Sequence, residues 1–128
     1  MAITAYKWDE DTLSGSPQGM PISVTSTDIA SGVTVHTVAD GNIEKIWVFA
    51  NNTQTTAQNL TIRCNDESTT VDRVIQIPAR SEKNVVIPGT LLKPSGNTIV
   101  ITVANEGGSS GNVVVSGKIE LRSNIPVN

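Results

Sequence analysis

Aromatic residues, cysteine and histidine are scarce in this chain of 128 residues, which has two Trp, one Tyr, one Phe, one Cys and one His. The single cysteine, Cys64, cannot form an internal disulfide, so stability has to come from packing or from partner chains. One His and one Cys cannot complete the tetrahedral shell of a zinc site. Four aromatic residues are also few for a surface that stacks sugars or bases.

Basic clusters and long apolar segments are missing as well. Nine Lys and Arg stand against twelve Asp and Glu, a net charge of -3, and no basic run occurs. Nucleic-acid binding relies on clustered cations that neutralise phosphates, so it is disfavoured. The longest apolar runs have four or five residues, too few to span a membrane. Residues 1–21 also lack the basic start and apolar block of a signal peptide.

β-Branched residues are abundant instead. The chain has 15 Thr, 15 Val and 13 Ile but only 5 Leu and 8 Ala. Because branched side chains pack well on a pleated surface and lose rotamer freedom in a helix, the composition favours sheet. From residue 22 onward, alternating apolar and polar residues are interrupted by turn signals. The pattern predicts an all-β fold, an antiparallel two-sheet β-sandwich or jelly roll of about eight strands with an extended N-terminal arm. The predicted strands are 22–26, 33–37, 43–50, 60–64, 71–77, 84–87, 98–104 and 113–122.

Three residues refine the predicted strands. Pro78 and Pro88 are expected to end theirs, because proline cannot donate to a central ladder. Gly117, inside the last predicted strand, indicates a bulge or a close backbone approach.

The pattern divides the chain into an N-terminal arm, 1–21, and a single β-sandwich domain, 22–128. The arm has no sustained periodicity but carries two of the four aromatic residues. It is either a frayed terminus or strand that belongs to its own domain, or an arm that docks on a neighbouring subunit. Large aromatic side chains serve well as interface anchors. The candidate partner contacts in the arm are Tyr6, Trp8, Asp9, Asp11 and Leu13.

No catalytic constellation is visible, so we expect no enzyme, no cofactor and no metal site. His36 lies on the polar side of its predicted strand, which indicates a surface residue, and no Ser lies in a nucleophile-elbow glycine pattern. Cys64 lies on the apolar side of its strand and is expected to be a buried, inert thiol.

The middle of the chain resembles small β-sandwich proteins of tailed-bacteriophage virions. The likeness covers roughly 33–104, and its motifs are strands, turns and a strand ended by proline. It rests on Val35-His36-Thr37, Gly41, the run from Glu44 to Thr53, Leu60-Thr61-Ile62, Ile77-Pro78-Ala79, Val86-Ile87-Pro88-Gly89 and Leu91. The resemblance implies a head decoration or cement protein on the capsid surface, made in the host cytoplasm. It also implies a homotrimer that binds the major capsid protein.

Trp47 and Phe49 are the candidate contacts that this role adds. They lie on the opposite side of their strand from Ile46 and Val48, and a symmetric trimer would bury apolar strand faces that a monomer exposes. The alternative is that all four side chains lie in the core of the monomer.

Two other functions stay open. The first is a carbohydrate- or receptor-binding module of a tail, neck or adhesin, which would need exposed aromatic platforms. The second is an enzyme, which would need a cleft with paired acids, and the sequence has no motif that indicates one.

Overall fold

A computed structural model describes residues 3–66 and 69–127, which form strands and the turns between them. The first two residues of the predicted arm and the last residue of the predicted domain lie outside this range. One turn of 3-10 helix, Ile29–Ser31, follows the second strand. The strands are β1 (Ile3–Asp11), β2 (Ile22–Ser23), β3 (Val33–Val38), β4 (Glu44–Asn52), β5 (Gln58–Asn65), β6 (Thr70–Ile77), β7 (Ser81–Leu92), β8 (Ile99–Ala104) and β9 (Val113–Val127).

Two antiparallel sheets make up the molecule. One has the order β1-β9-β4-β7, with β2 also paired to β9, and the other has the order β3-β8-β5-β6. The predicted two-sheet antiparallel sandwich is therefore confirmed. Each of the eight predicted strands corresponds to one of β2–β9, and β1 is an addition. The described residues contain no helix long and apolar enough to cross a membrane.

The core between the sheets is built from short aliphatic side chains. Fourteen of the eighteen residues in its buried cluster are Val or Ile, and all four aromatic residues of the chain lie outside that cluster. Branched side chains on facing pleated surfaces interdigitate at close to crystalline density, so this core needs no aromatic ring to fill it. The abundance of Val and Ile thus explains both the fold and the freedom of the aromatic residues to lie elsewhere.

The N-terminal segment is integrated into the sandwich rather than separate from it. β1 pairs with β9 over nine consecutive residues, from Ile3 opposite Val127 to Asp11 opposite Ile119. β4 covers the other edge of β9 only as far as Leu121. Beyond that point β1 and β9 continue as a two-stranded ribbon, paired with each other as far as Ile3 and Val127. The segment has the extended conformation expected of the arm, and it is a strand on its own domain.

The two prolines behave differently. β6 ends at Ile77, before Pro78, as predicted, whereas β7 runs through Pro88 to Leu92. The predicted strand end at Pro88 is therefore wrong. β7 is an edge strand, and the register shifts at this point, since Thr90 pairs with Ile46 and Pro88 with Trp47. A proline is tolerated at a bulge on an edge strand because its missing N–H is not needed there.

Gly117 provides the close backbone approach that the sequence predicts. It pairs with Val48 across the β4–β9 ladder. A Cβ at this position would collide with the main-chain carbonyl oxygen of Trp47. Glycine at position 117 therefore lets the backbone of β9 approach the backbone of β4 at Trp47.

Candidate interaction surface

β4 has one buried and one partly exposed face. Ile46 and Val48 are at most 1% exposed, whereas Trp47 and Phe49 point to the other side and are half-buried. Successive side chains of a strand alternate between the two faces of its sheet. Of the two possibilities left open by the sequence, the structure therefore shows the one in which Trp47 and Phe49 lie outside the core.

The arm brings its own aromatic residues to the same face. Trp8 pairs with Arg122 on β9, and Lys118, two pleats along β9, pairs with Trp47 on β4. Because neither ladder has a register shift, alternate residues of β1, β9 and β4 share the outer face of the sheet. We call this surface the aromatic face. Its members are Tyr6, Trp8, Trp47 and Phe49, with Lys45, Lys118, Arg122, Glu10 and Glu120 between them.

Three of the four rings have a cation above them. The Lys45 Nζ lies 4.2 Å from the centroid of the Trp8 ring, and the Arg122 guanidinium carbon lies 4.2 Å from that of Tyr6. The Lys118 Nζ lies 4.9 Å from the Trp47 centroid. Cations at these distances are attracted by the negative ring face. The Lys118–Trp47 and Arg122–Tyr6 pairs each link two neighbouring strands, whereas the Lys45–Trp8 pair reaches across β9 from β4 to β1.

Lys118 also joins the two carboxylates of the aromatic face. Its Nζ lies 2.7 Å from Glu10 Oε1 and 3.9 Å from Glu120 Oε2. The hydrogen bond to Glu10 raises the pKa of Lys118, and the nearby negative charges act in the same direction. The amine is thus held in its charged form, which favours its position over Trp47.

The backbone of β7 supports Trp47 from the other side. Gly89 has a φ of 92°, and a Cβ built on it would lie 2.7 Å from the indole Nε1 of Trp47. Both the left-handed conformation and the space taken by the indole require glycine here. Trp47 is therefore wedged between Gly89 and the Lys118 amine.

The other three candidates of the arm lie elsewhere. Asp9 and Asp11 alternate with Trp8 and Glu10, so they point to the opposite face of β1. Asp9 accepts a hydrogen bond from the Ser123 hydroxyl at 3.2 Å, and Asp11 accepts one from the Thr12 N–H at 2.8 Å. Leu13 is 2% exposed and belongs to the core cluster, so the prediction of a partner contact at Leu13 is wrong. The structure brings together Tyr6, Trp8, Trp47 and Phe49 and separates them from the other three.

A second apolar surface lies where the sandwich is open, along the edge strands β6 and β7. Six large apolar side chains are more than half exposed in the described part of the chain, and two of them, Val71 and Val74, lie on β6 at this edge. Val85 and Leu91 of β7 are also exposed, but they pair with Phe49 and Lys45 and so share the outer face of their own sheet. Between the sheets at this edge is a cavity of about 200 Å³, lined mainly by aliphatic residues and by Cys64 and Arg73. The Arg73 guanidinium donates a hydrogen bond of 3.0 Å to the Val86 carbonyl and so joins the two edge strands. We call this region the open edge.

Cys64 is half-buried at the open edge and packs against the core cluster. The sequence predicts a buried, inert thiol, and the structure places Cys64 closer to solvent than that. Burial is the main cause that raises its pKa, and the negative charge of Asp66 adds to this, while the Arg73 charge acts in the opposite direction. The raised pKa keeps Cys64 in the less reactive thiol form at neutral pH.

His36 is buried, 2% exposed, so the prediction of a surface histidine is wrong. The β3–β8 register shifts between Thr34 and His36, and this bulge turns both Val35 and His36 inward. The Ser14 N–H donates to His36 Nδ1 at 2.9 Å, and His36 Nε2 lies 2.7 Å from Glu44 Oε1. Since Nδ1 accepts a hydrogen bond, the ring proton is on Nε2 and is donated to Glu44.

Sequence reasoning missed Glu44, whose only signal is a carboxylate at the start of an apolar strand. His36, Glu44 and the Ser14 backbone together fix the loop after β1 to the sandwich. Both ring nitrogens of His36 are engaged within the protein, so the imidazole has a structural role.

A polar cleft of about 370 Å³ lies between the segments 56–59 and 106–109. Glu106 is the one ionisable residue that lines it. Beside it, Asn105 is fully buried, and its Oδ1 has no hydrogen-bond partner within the described residues. Within those residues no three His, Cys, Asp or Glu side chains come together as metal ligands would.

No protein-family model matches the chain, and no curated protein sequence is significantly similar to it.

Proposed function

We propose that this protein is a structural virion protein that binds the outer surface of a tailed-phage capsid and stabilises the shell. The observation that carries the proposal is the position of the four aromatic residues, which all lie on the outer face of one sheet. Trp, Tyr and Arg are the residue types that dominate binding energy at protein interfaces. A chain that fills its core with Val and Ile and keeps its aromatic residues outside is suited to binding another protein.

The likeness of residues 33–104 to phage virion sandwiches supplies the identity of the partner. In this proposal the aromatic face contacts the major capsid protein, and the protein acts as a homotrimer without cofactor or catalysis. We assign the contact between copies to the open edge, where short aliphatic side chains flank unpaired edge strands. Such edges invite pairing or packing with another chain unless they are covered.

Carbohydrate binding is the competing function, and the outer face with its four aromatic residues is the observation that favours it. Sugars stack on open ring faces, whereas Tyr6, Trp8 and Trp47 each have one ring face occupied by a cation. That arrangement supports a protein partner over a glycan.

The experiment combines electron microscopy of the parent virion with capsid binding. Purified protein is added to capsids that lack it, and we expect density at fixed positions on the shell. The free protein should have the mass of a trimer by native mass spectrometry. Absence from the virion, together with no binding to capsids, would contradict the proposal. Reproducible glycan-array hits that disappear in Trp8→Ala or Trp47→Ala would support carbohydrate binding instead.

A further inference from the structure

We infer that the surface facing the aromatic face is a protein surface that presents carboxylates to Lys45 and Arg122. The inference rests on the proposed function and specifies the chemistry of the partner. It concerns the end of the aromatic face formed by Tyr6, Trp8, Lys45 and Arg122.

Lys45 and Arg122 have rings beneath them but no ion pair in the described part of the chain. Glu120 lies opposite Lys45 in the β4–β9 ladder, but its carboxylate is within ion-pair distance of Lys118 instead. In the described part of the chain, no carboxylate oxygen lies within 4.0 Å of either cation. Lys118 differs, because Glu10 and Glu120 both lie within that distance. A cation over an aromatic ring keeps its full charge and its remaining N–H donors. A partner that covered these two cations without supplying acceptors would leave them desolvated and unpaired, which is costly.

The charge of the face contrasts with that of the whole protein. Its three cations, Lys45, Lys118 and Arg122, exceed its two carboxylates, Glu10 and Glu120, by one, whereas the complete chain has a net charge of -3. An acidic partner is therefore attracted to this face and repelled by much of the remaining surface. Electrostatic complementarity of this kind fixes orientation more than it raises affinity.

A protein fits this pattern better than a nucleic acid does. Duplex DNA presents a continuous series of phosphates, and its binding depends on several clustered cations. Here Glu10 and Glu120 interrupt the cations, and both carboxylates would face phosphates. Separate carboxylates on a folded partner can pair with Lys45 and Arg122 and avoid the two glutamates.

The rings also position the two cations before a partner arrives. Lysine and arginine side chains lose substantial rotamer freedom when they are immobilised at an interface. Contact with Trp8 and Tyr6 removes part of that freedom in the free protein. Tyr6 remains 56% exposed, so it leaves apolar area for a partner to cover beside the charge pair.

The first test is zero-length crosslinking in the native assembly from which the protein is isolated. A carbodiimide joins a lysine amine directly to a carboxyl group in contact with it, and mass spectrometry identifies the linked residues. We expect Lys45 to be linked to an Asp or Glu of the partner, while Lys83, exposed on β7, remains unlinked to it. An unlinked Lys45 that stays open to acetylation in the assembly would overturn the inference.

This test separates the two proposals. If the assembly is a capsid and Lys45 is free, the proposed function stands and the inference fails. If the assembly is something else but Lys45 is linked to a protein carboxylate, the proposed function fails and the inference stands. A protein isolated without any partner, with Lys45 reactive, overturns both.

The second test uses matched charge reversals. Lys45→Glu with Arg122→Glu is compared with Lys83→Glu with Lys93→Glu, which changes the net charge by the same amount on other exposed residues. We expect the first pair to weaken capsid binding at least about tenfold and to reduce its salt dependence, and the second pair to have little effect. Equal effects of the two pairs would contradict the inference. Displacement of the capsid by duplex DNA would assign the face to a nucleic acid and would also contradict it.

Discussion

The aromatic face and the open edge are two apolar surfaces left by the same sandwich, and their side chains are held very differently. On the aromatic face three rings are covered by cations from other strands of the sheet, and Trp47 lies against Gly89. At the open edge, Val71 and Val74 are more than half exposed with no cation stacked on them, and Val71 lines a cavity between the sheets. The comparison distinguishes a surface arranged for directional contacts from one suited to plain aliphatic packing.

The largest expected effect is a loss of stability at Gly117, where β9 packs closely against the backbone of Trp47. Gly117→Ala places a methyl group against the Trp47 carbonyl, and we expect it to lower the free energy of unfolding by about 3 kcal/mol. Gly41→Ala is the control, because Gly41 has a φ of 89° but open space around it. It should cost about 1 kcal/mol, from backbone strain alone. Urea unfolding of both variants measures the difference, and equal costs would show that β4 and β9 can separate without penalty.

The next effect concerns binding through the aromatic face. Trp8→Ala removes a ring and frees the Lys45 amine, so we expect about a 30-fold loss of affinity for the capsid, or about 2 kcal/mol. Phe49→Ala removes a ring without a cation and should cost less. Neither variant should change the native mass, because the open edge is untouched. Sedimentation binding and native mass spectrometry give the two readouts, and a Phe49 variant that binds more weakly than the Trp8 variant would argue against the role of the cation pairs.

A smaller effect is expected at the open edge. Val74→Lys places a charge on a side chain that is 65% exposed, and Met20→Lys is a matched control at 63%. We expect the Val74 variant to weaken association between copies about tenfold, or about 1.4 kcal/mol, while the Met20 variant stays trimeric. The test is native mass spectrometry over a dilution series. Identical dilution curves for the two variants would remove the open edge from the homotypic contact.

The smallest effect is a change in reaction rate at Cys64. Because its pKa is raised, the fraction of reactive thiolate is lower than in a free cysteine at neutral pH and increases as pH rises toward that pKa. Alkylation by iodoacetamide should therefore be slow at neutral pH and accelerate in alkaline solution. If copies meet at the open edge, dilution to monomer should also speed the reaction at fixed pH. An alkylation rate independent of dilution would count against this contact.

The fold could be predicted from the sequence because it depends on local pattern. Residues such as Ile46 and Val48 alternate with their neighbours at the period of a strand, and turn signals separate the strands. The same alternation allows two positions for Trp47 and Phe49, either on the outer face of the sheet or in the core of the monomer. The choice between them depends on which elements cover the sheet, and a single strand carries no information about that.

The aromatic face could be predicted only in parts. Tyr6 and Trp8 are about 40 residues from Trp47 in sequence, and they share a face because β1 and β4 flank β9, which comes from the end of the chain. Such pairing is non-local and has no signal in either segment. The predicted surface position of His36 is wrong for a different reason, because a single bulge in β3 reverses the alternation of side chains on which the prediction depends. The continuation of β7 through Pro88 likewise depends on its position at the sheet edge.

The pairing of Ile3 with Val127 has a consequence for engineering the chain. These residues lie opposite each other at the far end of the β1–β9 ribbon. Segments attached at these two positions would therefore leave the fold at nearly the same place. A short linker between the two strands should also permit circular permutation, with new termini in the Gly-rich segment 107–111. The β1–β9 ribbon would then be closed into a hairpin. A fused peptide would be attached at the loop 107–111 instead.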